Sequence, residues 1–218
     1  IAVDRAGLVG SDGETHQGIF DLSYLSSIPN MHIMAPKNKW ELSDMLKYAV
    51  EFDGPIALRY PRGEAYDGLK EYRRPIEYGK SEVIYEEEDI ALLAVGNMVK
   101  IAEQVRKNLK EIGYSCTLVN ARFVKPVDTE VLDMLSADHK LLVTMEENVR
   151  SGGYGEKVRD FVEDYEIPVH LLTIALPDEY VEHGNVALLY EEVGIDAESV
   201  TKRIVSRYAA CPKEDDRA

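Results

Sequence analysis

The chain has 218 residues, and its 45% apolar, 8% aromatic and 30% charged side chains are typical of a globular protein, which excludes collagen, low-complexity disorder and a small disulfide-stabilised scaffold. Acidic side chains outnumber basic ones by 40 to 25, so the formal charge is −15. Nucleic acid and anionic lipid would repel such a chain, and we expect it to bind neither. Residues 1–70 carry 7 basic and 10 acidic side chains against 18 and 30 in the remainder, so an anionic small substrate is accommodated more easily in the first segment.

The first 63 residues predict only part of an α/β domain. They contain one clear helix, Lys39 to Phe52, whose apolar side chains recur with a period close to 3.6 residues and which Asp53-Gly54-Pro55 ends. Short strands are expected at residues 1–3, 31–36 and 56–60. These elements are too few for a doubly wound sheet, and the chain opens on apolar residues without an initiator methionine. We therefore expect the second half of a domain whose first half lies upstream.

Residues 64–80 are polar and rich in turn formers, and we expect them to link the first segment to a complete α/β domain at residues 81–208. In that domain about five strands alternate with helices, which predicts a mainly parallel sheet. The strands are expected near residues 81–85, 90–95, 116–120, 141–145 and 169–174. The helices are expected at residues 98–112, after the N-cap Asp128, and at residues 152–165, 185–192 and 197–208. Residues 209–218 are expected to form a tail.

The densest chemistry lies in a glycine-rich segment, residues 4–18, that follows the first predicted strand. Its four glycines permit positive φ angles and close approach to a ligand, and α/β folds place ligand sites at such strand ends. Arg5 could bind a phosphate through two hydrogen bonds, and His16 could carry a proton near neutral pH. Asp12 precedes His16 by four residues, so the two side chains would share a face of one helical turn. On residue types alone, a polar surface loop with a solvated histidine stays open as an alternative.

Two other sites have competing interpretations. Arg62 follows a strand, so it faces the ligand edge of the sheet, but it could equally pair with a surface carboxylate. Gly152 to Gly155 open a helix and could hold an anion on free amide groups. The spacing of these glycines fits neither a dinucleotide fingerprint nor a P-loop, which favours a closely packed helix start.

The remaining histidines and the cysteines predict no metal site. His32, His139, His170 and His183 lack metal-ligand spacing, and we interpret them as structural. The two cysteines, at positions 116 and 211, have no CxxC partner, which is typical of reduced thiols in the cytosol. Since no apolar run approaches 18 residues and no signal peptide opens the chain, we expect a cytoplasmic protein.

Five segments carry a resemblance to a known family. They are residues 4–18 (DRAGLVGSDGETHQG), 20–25 (FDLSYL), 60–63 (YPRG), 121–126 (ARFVKP) and 146–155 (EENVRSGGYG). With them the chain resembles the transketolase-like, thiamine-diphosphate-dependent superfamily, and within it the 1-deoxy-D-xylulose-5-phosphate synthase family. This resemblance implies the second half of a pyrimidine-binding domain at residues 1–63 and a complete transketolase C-terminal domain at residues 81–208.

The resemblance also implies cofactors, partners and an activity. Full-length members bind thiamine diphosphate and Mg²⁺ through residues that would precede Ile1, so no cofactor or metal ligand is expected in this chain, which alone would be inactive. The implied enzyme is a homodimeric transferase that condenses pyruvate with D-glyceraldehyde 3-phosphate, releasing CO₂, to give 1-deoxy-D-xylulose 5-phosphate, a precursor of isoprenoids, thiamine and pyridoxal. Arg5 and Arg62 match positions that bind the acceptor phosphate. Asp12 and His16 match catalytic positions that line the substrate channel.

Two other functions are compatible with the residues. The chain could be a non-catalytic assembly or dimerisation module, since transketolase-like C-terminal domains pack against neighbours in dimers. It could also be the beta subunit of a 2-oxo-acid dehydrogenase, which has the same two domains. The Asp-Gly-x-Thr-His-Gln element at residues 12–17 argues against the beta subunit, as does the incomplete first domain.

Overall fold

The computed structural model describes residues 1–211, so most of the expected tail, from residue 212 on, lies outside the described residues. The first sheet has four strands: β1 (Ala2–Val3), β2 (His32–Met34) and β3 (Ile56–Arg59) from the first segment, and β7 (Phe123–Lys125) from the second part of the chain. They lie in the order β1-β3-β2-β7. Helices α1 (Asp21–Ser26) and α2 (Lys39–Glu51) belong to the same segment. The first three strands run parallel, and β7 pairs antiparallel with β2.

The second sheet has the order β4-β6-β5-β8-β9 and is parallel except for β4. Its strands are β4 (Glu82–Tyr85), β5 (Asp89–Ala94), β6 (Cys116–Asn120), β8 (His139–Val149) and β9 (His170–Leu176). The helices of this part are α3 (Met98–Glu111), α4 (Thr129–Asp138), α5 (Tyr154–Asp164), α6 (Val186–Glu192) and α7 (Ala197–Ala209). The predicted mixed α/β class with mainly parallel sheets is confirmed.

Local sequence explains where several helices begin. Asn38, Asp128, Asn185 and Asp196 each accept a hydrogen bond from a backbone amide of the following helical turn. Such side-chain caps satisfy amide groups that have no partner within the helix. Asp128 caps α4 as predicted. Helix α3 then buries one apolar stripe, which consists of Met98, Val99, Ala102, Val105 and Leu109, in the main core.

The two sheets share a buried junction. Strand β7 lies in the sequence of the second part but pairs with β2 of the first sheet. Leu69, inside the expected linker, is 6% exposed and belongs to the same core cluster as α3. The backbone carbonyls of Arg74 and Pro75 accept hydrogen bonds from the buried Arg122 guanidinium at 2.9 and 3.0 Å. Residues 64–80 therefore pack against both parts of the chain.

The strands of the first sheet differ in how many neighbours they pair with. Strand β1 has one partner, β3, among the described residues, whereas β3 is paired on both sides, by β1 and β2. Strand β7 then covers the other side of β2. The first sheet is thus extended by residues far along the chain.

Candidate functional site

The two arginines singled out from the sequence lie together. Arg5 follows β1 and Arg62 follows β3, and these strands are parallel neighbours whose carboxyl ends share an edge. Both guanidinium groups bind Oδ2 of Asp12, Arg5 through Nε at 3.1 Å and Arg62 through Nη1. Asp4 also pairs with Arg5. The cluster of Asp4, Arg5, Asp12 and Arg62, called the arginine cluster below, thus balances two positive charges with two negative ones.

The electrostatics of the cluster favour its charged form. The hydrogen bond from Arg62 is the largest influence on the Asp12 carboxyl and lowers its pKa; desolvation opposes it, and the hydrogen bond from Arg5 adds to the lowering. Asp12 in turn raises the pKa of Arg62. The Arg62 side chain is 49% exposed and the Asp12 side chain 19%, so solvent and dissolved anions reach the arginine. The Arg62 guanidinium is therefore accessible from solvent while it is paired with Asp12.

His16 is exposed and lies outside these ion pairs. Its Nδ1 atom is 2.9 Å from the Thr15 hydroxyl. Residues 10–16 form turns and not a helix, so the predicted common helical face for Asp12 and His16 is wrong. The four glycines favour turns here. The Asp12 carboxylate pairs with the guanidinium groups of Arg5 and Arg62 and not with His16.

Backbone hydrogen bonds close the glycine-rich segment into a loop. Gly7 N donates to Gly18 O at 3.1 Å, and Gly18 N donates to Arg5 O at 2.9 Å. Arg5 itself has a φ of 59°, a left-handed conformation that is uncommon outside glycine. A side chain at Gly18 would come within 2.5 Å of the Arg5 carbonyl oxygen, so that position requires glycine. The loop therefore fixes the backbone on which the Arg5 side chain is mounted.

Sequence reasoning missed a buried arginine beneath this loop. Arg59, at the end of β3, is 4% exposed and donates to Gly18 O at 2.6 Å and to Glu147 O at 2.8 Å. Its Nε pairs with Asp21 at 3.3 Å. A charged residue that ends an otherwise apolar strand was the available signal, but the distant acceptors left no local pattern. Arg59 ties the loop to the second sheet.

The Gly152–Gly155 segment is a packed helix start whose amides are already used. Tyr154 N and Gly155 N donate to the two oxygens of the Glu146 carboxylate at 2.7 and 2.9 Å. Glu146 is fully buried, and burial raises its pKa to about 7 even though these hydrogen bonds oppose the shift. The carboxylate takes the place that a bound anion would need, which agrees with the structural interpretation.

This buried carboxyl predicts a pH dependence of stability. The folded pKa of Glu146 lies above the ordinary value of 4.5, so the folded chain binds more protons between pH 4.5 and 7. The contribution of Glu146 protonation to the free energy of unfolding is complete below about pH 4.5. It is lost as the pH rises through 7, which lowers the free energy of unfolding by roughly 3 kcal/mol. The Glu146→Gln variant should therefore gain stability relative to the wild type from pH 5 to pH 8. Urea unfolding at each pH measures the difference, and a difference independent of pH would contradict the prediction.

Within residues 1–211, no cluster of three or more histidine, cysteine or acidic side chains is arranged to hold a metal ion. Cys116 and Cys211 are both buried and neither is in a disulfide. His139 bonds Leu135 O and the Thr117 hydroxyl, and His32 bonds Pro55 O and the Tyr78 hydroxyl, which fits structural roles for both. None of the helices in the described part is long and apolar enough to span a membrane.

Two family models match the chain. The one described as the transketolase pyrimidine binding domain matches residues 1–67, and the one described as the transketolase C-terminal domain matches residues 79–200. Among curated relatives, the 1-deoxy-D-xylulose-5-phosphate synthase of Lachnoclostridium phytofermentans is 54% identical over 205 residues, and that of Clostridium acetobutylicum is 43% identical over 210 residues. These alignments cover 93% and 94% of this chain and 33% of each relative. The chain thus spans about a third of the length of the curated relatives it matches.

Solved structures agree on the fold. A split-gene transketolase, described as an inactive beta4 tetramer, is 25% identical, with a TM-score of 0.88 over 97% of this chain and 67% of that one. Transketolase from Leishmania mexicana is 18% identical, with a TM-score of 0.70 over 96% of this chain and 30% of that one. At that identity the second match shows the fold alone.

Proposed function

Because the chain belongs to the transketolase family, we propose that it is the C-terminal part of a thiamine-diphosphate-dependent 1-deoxy-D-xylulose-5-phosphate synthase. The complete enzyme would condense pyruvate with D-glyceraldehyde 3-phosphate, with loss of CO₂. The observation that carries the proposal for this chain is the convergence of Arg5 and Arg62 from two parallel strand ends on one carboxylate. Two guanidinium groups so placed match the charge and size of a phosphate group.

The arginine cluster would bind the acceptor by exchange of anions. In the free chain, Asp12 occupies both arginines. A phosphate dianion carries more charge and more acceptor oxygens than a carboxylate, so it would displace Asp12 from the guanidinium groups. The released carboxylate could then accept a hydrogen bond from a hydroxyl group of the acceptor. The exposed His16, on the same loop, would donate a proton or a hydrogen bond to the oxygen that becomes an alkoxide.

The described residues do not fit a site for the diphosphate and its metal, since they contain no cluster of three or more metal-ligating side chains. The alignments cover about a third of each curated relative, and we assign thiamine diphosphate and Mg²⁺ to the remaining part of that length. When bound there, the cofactor would act as the electron sink for decarboxylation. The proposal also includes a homodimer, a cytoplasmic location, and domain limits of 1–63 and 81–208 with a linker at 64–80.

One observation favours the non-catalytic alternative for the isolated chain. The split-gene transketolase, whose fold matches this chain with a TM-score of 0.88, is described as an inactive beta4 tetramer. The chain, expressed alone, would then assemble without catalysing a reaction. This alternative concerns the isolated chain and is compatible with a catalytic role in the complete enzyme.

Calorimetry and a product assay test the proposal. The chain alone should release no Mg²⁺-dependent heat with micromolar thiamine diphosphate. Adding the N-terminal segment of a curated relative in trans should restore both the heat and the formation of 1-deoxy-D-xylulose 5-phosphate from pyruvate and glyceraldehyde 3-phosphate. Xylulose 5-phosphate as the donor is the control for ordinary transketolase activity. Heat from the chain alone would overturn the cofactor assignment, and turnover with xylulose 5-phosphate in place of pyruvate would overturn the substrate assignment.

A further inference from the structure

The carboxyl end of β8 contacts the glycine-rich loop near its beginning and at its end. Near the beginning, Leu8 N donates to Glu147 Oε1 at 3.1 Å across 139 residues of sequence. At the end, Val149 N donates to Ile19 O at 2.9 Å, and Arg59 bridges the carbonyl oxygens of Gly18 and Glu147 as described above. The loop that carries Arg5 and Asp12 is therefore seated on a strand of the C-terminal domain.

Glu147 is the side chain through which β8 contacts the glycine-rich loop. It is 4% exposed, and its Oε2 accepts a hydrogen bond from Asn97 Nδ2 at 3.3 Å. The Tyr190 hydroxyl also accepts from Asn97 Nδ2 at 3.1 Å, and it lowers the pKa of the Glu147 carboxyl. Burial raises the pKa of Glu147, and its hydrogen bonds oppose that shift. Asn97, the N-cap residue of α3, and Tyr190 of α6 therefore surround the carboxylate that accepts from the loop amide.

The loop packs so closely against this carboxylate that no side chain would fit at Gly7. A Cβ added at Gly7, whose φ is 74°, would lie 2.3 Å from Glu147 Oε1 and 2.8 Å from Glu147 Cβ. On the opposite side, Gly184 N donates to Gly10 O at 2.9 Å, and a Cβ at Gly10 would lie 1.9 Å from the Gly184 carbonyl oxygen. Segments of the C-terminal domain therefore hold the loop at Gly7–Leu8 and at Gly10, between Arg5 and Asp12.

We propose that Glu147 is a positioning residue that sets the geometry of the arginine cluster through the Leu8 amide. Leu8 lies three residues after Arg5 and four before Asp12, and the Arg5 carbonyl is itself bonded to Gly18 N. A shift of the Leu8 backbone therefore moves Arg5 and Asp12 relative to Arg62, because Arg62 lies on a different segment, the one that follows β3. The identity of the anion rests on the proposed function, whereas the control of loop geometry does not.

Amide hydrogen exchange on the 218-residue chain tests this role directly. Glu147→Leu removes the acceptor, and the Leu8 amide and its neighbours in residues 5–18 should exchange at least roughly tenfold faster. Glu147→Gln keeps an oxygen toward Leu8 and should restore exchange to within about threefold of the wild type. The matched control is Glu146→Leu, because the adjacent carboxylate is equally buried but bonds α5 instead of the loop. That control should accelerate exchange at Tyr154 and Gly155 and leave residues 5–18 unchanged.

Asn97→Ala gives a second route if Glu147→Leu fails to fold, because it withdraws one hydrogen bond from the Glu147 carboxylate without touching the loop. It should accelerate exchange of Leu8 more than exchange of the β8 core amides. In the reconstituted enzyme, Glu147→Leu should raise KM for glyceraldehyde 3-phosphate and leave KM for pyruvate unchanged, with Glu147→Gln close to the wild type. Unchanged exchange at residues 5–18 in both Glu147→Leu and Asn97→Ala overturns the positioning role. Faster exchange without any change in KM retains that role and counts instead against the acceptor site.

Discussion

Replacing Arg62 with alanine in the reconstituted enzyme should raise KM for glyceraldehyde 3-phosphate by roughly 10- to 100-fold and leave KM for pyruvate nearly unchanged. The Arg62 guanidinium is half exposed at the carboxyl edge of the first sheet, and of the two substrates in the proposed function only the acceptor carries a phosphate. Loss of one charge-assisted contact weakens binding of that substrate alone, since pyruvate carries no phosphate. Steady-state kinetics with each substrate varied in turn measure the two constants.

Arg73→Ala is the matched control for Arg62→Ala. Arg73 has similar exposure and also binds a carboxylate, that of Asp44, at 2.6 and 2.8 Å, but it lies away from the arginine cluster. It should leave both constants unchanged. His16→Ala should instead lower kcat, because a proton donor acts mainly in the transition state. If Arg62→Ala raised both Michaelis constants equally, the arginine would be structural and the phosphate site would be wrongly assigned.

Replacing Arg122 with leucine should lower the free energy of unfolding by about 3–5 kcal/mol, because it leaves buried carboxylates short of a positive partner. Arg122 binds Glu41 at 2.8 Å and Glu82 at 3.0 Å, and Lys37 binds the same two carboxylates at 3.0 and 2.6 Å. All four side chains are 1% or 2% exposed. Burial alone would raise the pKa of Glu82, but Lys37 and Arg122 outweigh it and hold that pKa below its ordinary value.

Urea unfolding of the 218-residue chain measures this loss. The control is Lys202→Leu, which breaks an ion pair of 2.6 Å to Glu198 between two exposed side chains and should leave stability unchanged within error. The double variant Arg122→Leu with Glu82→Leu should be less destabilised than the sum of the two single variants, since it removes one charge of each sign. An additive double variant, or a negligible effect of Arg122→Leu, would show that the four side chains do not act as one network.

The sequence was sufficient for elements that local pattern controls. The amphipathic stripe of α3 and the apolar run of β6, Cys116–Asn120, lie where they were predicted. Strand β7 was missed because it has three residues and its partner β2 lies about 90 residues earlier, so no local signal marks the pairing. The short helix α1 was missed as well; its Asp21 and Leu22 bond to Arg59 and Asn148, which are remote in sequence.

The candidate site shows the same division. The convergence of Arg5 and Arg62 follows from the rule that parallel strands share a carboxyl edge, and the structure has those strands as neighbours. The acceptor of both arginines, Asp12, was not predicted as such, because loop conformation depends on glycine φ angles that spacing does not encode. Glu147 was given no role from the sequence, yet it is buried and accepts a hydrogen bond from Leu8 N of the loop.

Strand β7 also limits how such proteins can recombine. A crossover between two relatives within residues 68–78, between the matched family segments, would join the β2 of one parent to the β7 of the other. Their antiparallel ladder is made by backbone groups and tolerates sequence change, but Lys125 reaches the carbonyl oxygens of Ser26 and Ile28 at 2.9 and 2.8 Å. In the product of such a crossover, β2 and β7 of the first sheet come from different parents. Their native pairing is retained only when residues 26–34 of one parent are compatible with residues 123–125 of the other. The segment that must be exchanged together is therefore longer than the first domain delimited from the sequence, because it includes β7.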